Sequence, residues 1–291
     1  MELIYRAKKP ETIKRFMFDN NIPLKLVDIQ KGKQMLFVNH EQKTKDDTIK
    51  KGDNLKIVIP DEPYDPSITP EEGPLDIRYE DEYYLIVNKP ANMQVMVSNA
   101  HPTGTLANRL NHYYQTQGIH AKIHFINRLD KETSGLMFIA KHRFLKFLFS
   151  DKTDNKVDRE YYAIVDGLLE NKKLCIELPI NRVEGSIKRE VSMTGEECQT
   201  AYQVEKEFNN YSLVRIVSET GKTHQIRVHF AHFRLPIVGD ELYNTNRYPV
   251  PEMLLMSHRI AFTHPLKDTK VEVVLPLGSA FESFMKRYNV K

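Results

Sequence analysis

The sequence predicts an α+β protein: a mixed, largely antiparallel sheet with flanking helices, preceded by a smaller α+β module. Three observations predict it. Strand-like segments outnumber helical segments and do not alternate strictly with them, which argues against a doubly wound parallel sheet. A proline-rich acidic stretch separates a lysine-rich beginning from the rest of the chain. With 291 residues, of which 41% are hydrophobic, the chain can bury more than one core.

Residues 1–60 are predicted to form a small basic module. They contain 13 lysines and arginines against 8 acidic residues, while the rest of the chain is slightly acidic. A helix is predicted at 11–20, followed by short strands at 36–39 and 55–59. This order resembles the small αL-type RNA-binding modules fused to RNA-modifying enzymes, although the helix carries only Arg15 where such modules have several arginines. The alternatives are a degenerate module, or lysines that only make the domain soluble.

Residues 61–74 are predicted to be a semi-rigid linker, because their regularly spaced prolines preclude a helix or a central strand. The second domain is predicted to span residues 75–291. Its predicted strands are two segments within 77–90 and the segments 135–140, 160–167, 201–204, 211–217, 254–262 and 270–274. Its predicted helices are 106–114, 142–150, 228–232 and 280–287.

The most informative stretch of this domain is 124–141, where two halves of opposite character meet. Its first half is crowded with polar and charged groups, including Arg128 and Asp130, whereas 135–140 is an unbroken apolar run typical of a buried strand. A carboxylate and a guanidinium therefore lie on a loop held by a core strand, where reactive groups are often displayed. The alternative is a surface turn with a local ion pair.

Five stretches together carry a resemblance to a known family. They are Asn-Lys-Pro at 88–90, Arg-Leu-Asp-Lys-Glu-Thr-Ser-Gly-Leu at 128–136, Arg-Glu-Tyr at 159–161, Gly-Lys-Thr-His-Gln-Ile-Arg-Val-His at 221–229 and Pro-Ile-Val-Gly-Asp at 236–240. In order and spacing they match the RluA-type pseudouridine synthases, from about residue 75 to the C-terminus. The resemblance implies the pseudouridine synthase fold for this part of the chain.

It also implies isomerisation of uridine to pseudouridine in RNA, without a cofactor or a metal. The N1–C1′ bond breaks, the uracil turns in its pocket, and carbon 5 joins C1′. Asp130 takes the position of the family's catalytic carboxylate, and Arg227 that of the arginine paired with it. Tyr161 takes the position of the tyrosine that is proposed to hold the uracil ring and to remove the carbon-5 proton.

Elementary electrostatics supports the pairing of Asp130 with Arg227. A carboxylate in a pocket that excludes water is pushed towards its neutral form, and a nearby cation opposes that shift. An arginine stays charged and can offer paired donors to both carboxylate oxygens. We therefore expect Arg227 to face Asp130 with two hydrogen bonds.

The resemblance further implies a set of substrate-binding residues. Arg128 matches the family arginine thought to fill the space that the flipped uridine leaves. Lys222 stands where family members often have arginine, beside a phosphate or the base. The substrate-binding residues expected on this basis are Arg128, Lys222, Leu129, Asn127 and Lys89.

Three positions depart from the family pattern. Asn127 replaces a histidine, Asn92 replaces a glycine, and Met256 replaces the histidine of a late-strand motif. They leave open the alternative of an RNA-binding paralogue that is catalytically weak or inactive. A metal-dependent hydrolase built on His224, His229 and His232 is disfavoured, because the flanking acidic pattern of zinc hydrolases is missing.

The remaining expectations concern partners and location. Ribosomal or transfer RNA is the expected partner, and we expect a monomer without a membrane or an obligate protein partner. No apolar run approaches the roughly 20 residues that span a bilayer, and the chain starts without a signal-peptide core. The two cysteines, Cys175 and Cys198, do not suggest a disulfide framework, which fits a reducing cytoplasm.

Overall fold

The beginning of the chain folds around a four-stranded antiparallel sheet. A computed structural model describes residues 1–20, 22–24, 35–150, 153–218 and 220–288. The elements of the first sixty residues are β1 (Glu2–Arg6), β2 (Glu11–Thr12), α1 (Ile13–Asp19), β3 (Leu36–Val38), β4 (Glu41–Gln42), β5 (Thr48–Ile49) and β6 (Asn54–Val58). The sheet order is β1-β6-β3-β4, and β2 pairs with β5. The predicted helix and strands are present, although the helix starts at Ile13 and not at Glu11, and the sequence analysis missed β1, β2, β4 and β5.

Helix α1 forms where apolar residues recur on one face. Ile13, Phe16 and Met17 are buried against the small sheet. Thr12 begins the helix, because its side-chain oxygen accepts a hydrogen bond from the Arg15 backbone nitrogen. This packing gives the small sheet its own hydrophobic layer.

The rest of the chain folds around a ten-stranded sheet. Its strands are β7 (Asp76–Glu80), β8 (Tyr84–Lys89), β9 (His124–Phe125), β10 (Ser134–Ala140), β11 (Val157–Asp166), β12 (Lys173–Ile176), β15 (Thr200–Phe208), β16 (Tyr211–Val217), β17 (Leu255–Thr263) and β18 (Lys270–Val274). The path is β12-β15-β16-β11-β17-β10-β8-β7, with β18 beside β17 and β9 beside β10. Only the β10–β17 pairing is parallel among these strands. The predicted mixed, largely antiparallel sheet is thereby confirmed.

Helices cover both faces of the large sheet. They are α2 (Leu106–Thr116), α3 (Arg143–Phe147), α4 (Gln225–His232) and α5 (Ser279–Tyr288), and β13 (Ile180–Arg182) pairs separately with β14 (Arg189–Val191). The alternation along the strands assigns side chains to each face. One face packs with α3, α5 and the small N-terminal sheet, and the other packs with α2 and α4. Within the described ranges, no helix is long and apolar enough to cross a membrane.

The segment between β6 and β7 has no helix or strand, as its prolines require. It lies along α2 and is tied to it by hydrogen bonds. The Asn108 side chain donates to the Thr69 carbonyl at 2.7 Å, and Glu71 accepts from the Gly104 backbone nitrogen at 2.6 Å. The proline-rich segment is therefore packed against the large domain over part of its length.

Gly135 permits the close approach of β10 and β17 that organises the cleft. Its φ is +105°, and a Cβ there would lie 2.2 Å from the Ser257 carbonyl oxygen. Any side chain would separate the two parallel strands. Because β10 follows directly on the loop that carries Asp130, this contact sets where that loop ends.

Candidate active site

A cleft of about 480 Å³ opens where the loop before β10 meets the start of α4. Asp130 comes from the loop, Tyr161 from β11 and Arg227 from α4, and all three line the cleft. They are far apart in sequence, and the central strands of the sheet bring them together. The remaining lining residues are Arg128, Leu129, Thr133, Ser218, Thr220, Gly221, Lys222, Thr223, His224, Gln225, Ile226 and Leu255.

Arg227 is the buried centre of an acidic cluster. Its side chain is 2% exposed, and its Nη1 donates to Asp130 and to Glu132 at 3.2 Å each. Its Nε and Nη2 both donate to the buried Asp240 at 2.8 Å. Paired donors to Asp130 were expected, and that expectation is wrong: the paired donors go to Asp240, and Asp130 shares the remaining nitrogen with Glu132.

The neighbouring carboxylates keep Arg227 charged despite its burial. Burial alone would lower the pKa of Arg227, but the hydrogen bonds and charge of Asp240, together with Asp130 and Glu132, raise it above its ordinary value. The guanidinium is therefore a fixed cation beside Asp130. The Asp130 side chain is 22% exposed, so it can meet a molecule that enters the cleft.

Tyr161 and Tyr162 lie on opposite faces of β11. Tyr161 is 8% exposed and lines the cleft, whereas Tyr162 packs on the other face with its ring 4.5 Å from that of His258. The β11–β17 register shifts between Glu160 and Tyr161, a bulge of the kind that re-aims side chains near active sites. Burial raises the pKa of Tyr161, with Arg159 opposing and Asp130 adding to the shift, so its hydroxyl is protonated at neutral pH.

The outer wall of the cleft is basic. Arg128 is exposed, and its Nη2 lies 3.4 Å from Thr223 Oγ1. Lys222 pairs with the exposed Glu196. Both side chains also line an adjoining recess of about 540 Å³ together with Arg189, a cation for which the sequence analysis predicted no role. Leu129 contributes an apolar side chain to the floor of the cleft.

Asn127 and Lys89 were predicted to bind the substrate, and the structure places their polar groups in the interior instead. The Asn127 amide donates to the Leu136 carbonyl at 3.0 Å and accepts from the Phe138 backbone nitrogen at 2.7 Å. Both contacts are to β10, so the amide fastens the Asp130 loop to that strand. Neither residue lines the cleft.

Lys89 fastens the same loop from β8. Its buried ammonium donates to the carbonyls of Pro90, Met93 and Lys131, at 2.9 to 3.0 Å. Burial lowers the pKa of Lys89 to about 8, and the negative charges of Glu132 and Asp130 act against that shift. The Lys131 contact ties β8 to the residue that follows Asp130. Lys89 therefore stabilises the loop that carries Asp130.

The three departures from the family pattern have structural explanations. Asn92 has a φ of +61°, a left-handed conformation that asparagine tolerates better than most residues other than glycine. Asn127 makes the two backbone hydrogen bonds of the loop. Met256 is 5% exposed in the core of the large sheet, away from the cleft lining. None of the three removes a group from the cleft.

The three histidines weighed as metal ligands lie in different surroundings. His229 is fully buried and bonds Thr200 and the Leu178 carbonyl, whereas His232 is exposed. His224 lines the cleft, where its Nε2 lies 4.0 Å from Asp130 Oδ2. In the part of the chain that the structure describes, no group of three or more histidine, cysteine or acidic side chains could hold a metal ion.

Two residues that support Arg227 from outside the cleft received no catalytic role in the sequence analysis. Asp240 ends the Pro-Ile-Val-Gly-Asp stretch and Tyr243 follows it three residues later, but their contacts could not be read from the sequence. Asp240 Oδ1 accepts hydrogen bonds from the backbone nitrogens of Leu242 and Tyr243. The Tyr243 ring lies 5.3 Å from the Arg227 guanidinium carbon. These contacts hold the cation from the side opposite Asp130.

Comparisons with known proteins agree over most of the chain. The sequence profile of the RNA pseudouridylate synthase family matches residues 83–232. An RNA pseudouridine synthase of Bacillus subtilis, YjbO, is 35% identical over 281 residues, which cover 96% of this chain and 99% of that protein. The ribosomal large subunit pseudouridine synthase D of Xylella fastidiosa is 33% identical over 223 residues, covering 72% of this chain and 67% of that protein.

A solved structure supports the fold. The human RNA pseudouridylate synthase domain containing 1 protein aligns with a TM-score of 0.58 and 20% identity, over 76% of this chain and 98% of that chain.

Proposed function

The chain belongs to the RNA pseudouridylate synthase family and is an RNA pseudouridine synthase, and on that premise we propose that it isomerises specific uridines of structured ribosomal or transfer RNA, with Asp130 as the catalytic carboxylate and without a cofactor. One observation carries the assignment of the site. Asp130 lies 3.2 Å from a buried arginine, in a cleft that it shares with Tyr161.

The proposed chemistry follows from these three side chains. Asp130 acts on the ribose as nucleophile or base, and the fixed positive charge of Arg227 lies beside its carboxylate. As the N1–C1′ bond breaks, the uracil turns within the cleft and carbon 5 joins C1′. Carbon 5 then loses its proton and N1 gains one, so the product is an isomer of the substrate. Tyr161 supplies a ring face for the uracil, and its protonated hydroxyl relays the carbon-5 proton, which its oxygen accepts as its own proton passes to solvent.

The basic wall suits the proposed RNA substrate. A uridine inside a helix must leave its stack before the cleft can receive it. Arg128 is proposed to occupy the space that the flipped base leaves, because it is exposed at the mouth of the cleft. Arg189 and Lys222, which line the adjoining recess, are proposed to contact the neighbouring phosphates.

Deletion of the gene tests this proposal and identifies the target. Mapping of pseudouridines in cellular RNA should then show the loss of one or a few sites. Wild-type protein supplied from a plasmid should restore them, whereas Asp130→Asn should not. An unchanged pseudouridine map, together with no activity of the purified protein on cellular RNA, would favour a binding-only role.

Tyr161→Phe is expected to lower turnover about 100-fold while RNA affinity stays close to that of the wild type. The phenyl ring can still stack on the uracil, but the hydroxyl needed for proton transfer is gone. The measurement is single-turnover release of tritium from RNA labelled at carbon 5 of uridine. Tyr162→Phe is the matched control, because Tyr162 lies on the other face of β11. Equal losses in the two variants would contradict the role proposed for Tyr161.

The basic N-terminal module is proposed to bind the RNA backbone. Deleting the module would expose part of the large domain, because the apolar residues of the two form one continuous hydrophobic cluster. The lysines of the module are therefore tested by substitution. Reversing the charges of the exposed Lys14, Lys50 and Lys51 to glutamate is expected to weaken RNA binding. The slope of log affinity against log salt should become shallower by about 0.7–0.9 for each phosphate that the module no longer neutralises.

The control for this experiment changes the same number of exposed lysines on the large sheet. Lys173, Lys206 and Lys270 are exposed and do not line the cleft, so their replacement by glutamate alters net charge equally. If both triple variants change the salt slope by the same amount, the effect is one of net charge, and the module is not a specific RNA-binding surface.

A further inference from the structure

His224 lies beside Asp130 in an orientation that its neighbours determine. It is the residue before α4 and has a φ of +58°, a left-handed conformation that few residues other than glycine adopt. Side chains at this position usually bond the first turn of their own helix. The imidazole of His224 makes no such bond, and its Nδ1 lies 2.9 Å from the Tyr243 hydroxyl.

The hydrogen bonds of Tyr243 determine which nitrogen of His224 carries the proton. The phenol oxygen accepts a hydrogen bond from the Arg189 backbone nitrogen at 2.7 Å. We assign the phenol proton to the hydrogen bond with His224 Nδ1, which makes Nδ1 the acceptor and places the imidazole hydrogen on Nε2. Burial lowers the pKa of His224, with Asp130 opposing the shift and Arg227 adding to it, which favours this neutral form.

The result is one donor and one acceptor that face the same space. His224 Nε2 and Asp130 Oδ2 are 4.0 Å apart, which is too long for a direct hydrogen bond. A hydroxyl oxygen can lie about 2.8 Å from both atoms, accepting from the imidazole and donating to the carboxylate. The pair is therefore complementary to a hydroxyl group, because a hydroxyl can do both at once.

We propose that His224 and Asp130 together bind the ribose 2′-hydroxyl of the target uridine, so that this pair makes the enzyme select RNA over DNA. The inference rests on the proposed function, in which Asp130 acts on the sugar at or next to C1′. The carbon that bears the 2′-hydroxyl is bonded directly to C1′. Of the ribose hydroxyls, the 2′ group is therefore the one nearest to the reacting carbon. The 2′-hydroxyl is also the group that distinguishes RNA from DNA at a given nucleotide.

The experiment compares two synthetic RNA stem-loops built around the mapped target uridine. They are identical except that one has a 2′-deoxyribose at that position. Single-turnover rates and kcat/KM are measured for the wild type, His224→Asn and His224→Gln. Asparagine tolerates the left-handed backbone but is too short to reach the hydroxyl, whereas the glutamine amide reaches about as far as the imidazole Nε2. His232→Asn, an exposed histidine of the same helix, is the control.

Removing the 2′-hydroxyl is expected to lower kcat/KM of the wild type by at least about tenfold, since the hydrogen bonds to His224 and to Asp130 are both lost. The same change should lower it less than about threefold in His224→Asn, since one of the two partners of the hydroxyl is already missing. Any intrinsic effect of the deoxyribose on bond cleavage is common to both enzymes and cancels in this comparison. His224→Gln should lie nearer to the wild type, and His232→Asn should equal it.

The possible outcomes distinguish a failure of this inference from a failure of the proposed function on which it rests. A wild type and a His224→Asn variant that both isomerise the RNA, with the same loss on the deoxyribose substrate, would overturn the hydroxyl contact alone. Equal discrimination in His224→Gln and His224→Asn, both below that of the wild type, would also overturn it, because restoring a donor would then have no effect. A wild type inactive on the mapped stem-loop would overturn the proposed function and the inference with it.

Discussion

Asp130→Asn is expected to lower pseudouridine formation by at least about 1,000-fold while the protein still folds and binds RNA. The amide has nearly the shape of the carboxylate, but it carries no charge and cannot attack or deprotonate the sugar. The fold should survive because the side chain is partly exposed and because Arg227 keeps its two hydrogen bonds to Asp240. The measurement is tritium release from carbon-5-labelled uridine in RNA.

The loop itself provides the matched control. Glu132 lies 3.2 Å from the same Arg227 nitrogen as Asp130, but its side chain is more exposed and does not line the cleft. Glu132→Gln, like Asp130→Asn, removes one negative charge next to the Arg227 guanidinium, and it should retain most of the activity. If Glu132→Gln proved as damaging as Asp130→Asn, the reaction would depend on the charge around Arg227 and not on a reacting carboxylate at 130.

Arg227→Met is expected to lower both stability and activity. Asp240 is fully buried, and its two strongest partners are nitrogens of Arg227. Removing the cation leaves this carboxylate buried without compensation, which costs about 3–5 kcal/mol. Activity should fall by about 100-fold or more, because Asp130 loses the fixed positive charge beside it. Denaturant unfolding and tritium release measure the two effects.

A second substitution separates these two losses. Asp240→Leu combined with Arg227→Met replaces the buried ion pair with apolar groups, a change that often restores stability. The double variant should therefore be more stable than Arg227→Met and remain as inactive. Recovery of wild-type activity together with stability would show that Arg227 only supports the fold. Arg227→Met added to Asp130→Asn should cost little further activity, since the two side chains act as a unit.

Much of the fold was predictable because the spacing of apolar residues along the sequence indicates which side chains are buried. The apolar run from 135 to 140 indicated a buried strand, and β10 spans Ser134–Ala140. The strands at the edges of the two sheets were less visible, because β1 and β12 each have a single buried side chain. Edge strands bury little, so their sequences carry little of the periodic signal.

The sequence by itself determined which side chains could perform the chemistry. The motifs around Asp130, Tyr161 and Arg227 specify a carboxylate, a phenol and a guanidinium in fixed order, and strand alternation separates Tyr161 from Tyr162. That information is local, because each motif places its functional group on its own turn or strand.

Only the tertiary structure decided how those groups are used. Asp240 takes the paired donors of Arg227, and Lys89 and Asn127 turn inward to hold the loop. His224 Nδ1 lies 2.9 Å from the hydroxyl of Tyr243, which comes from a distant part of the chain. The physical reason is that each buried donor must find an acceptor, and which acceptor lies within reach depends on how distant segments pack.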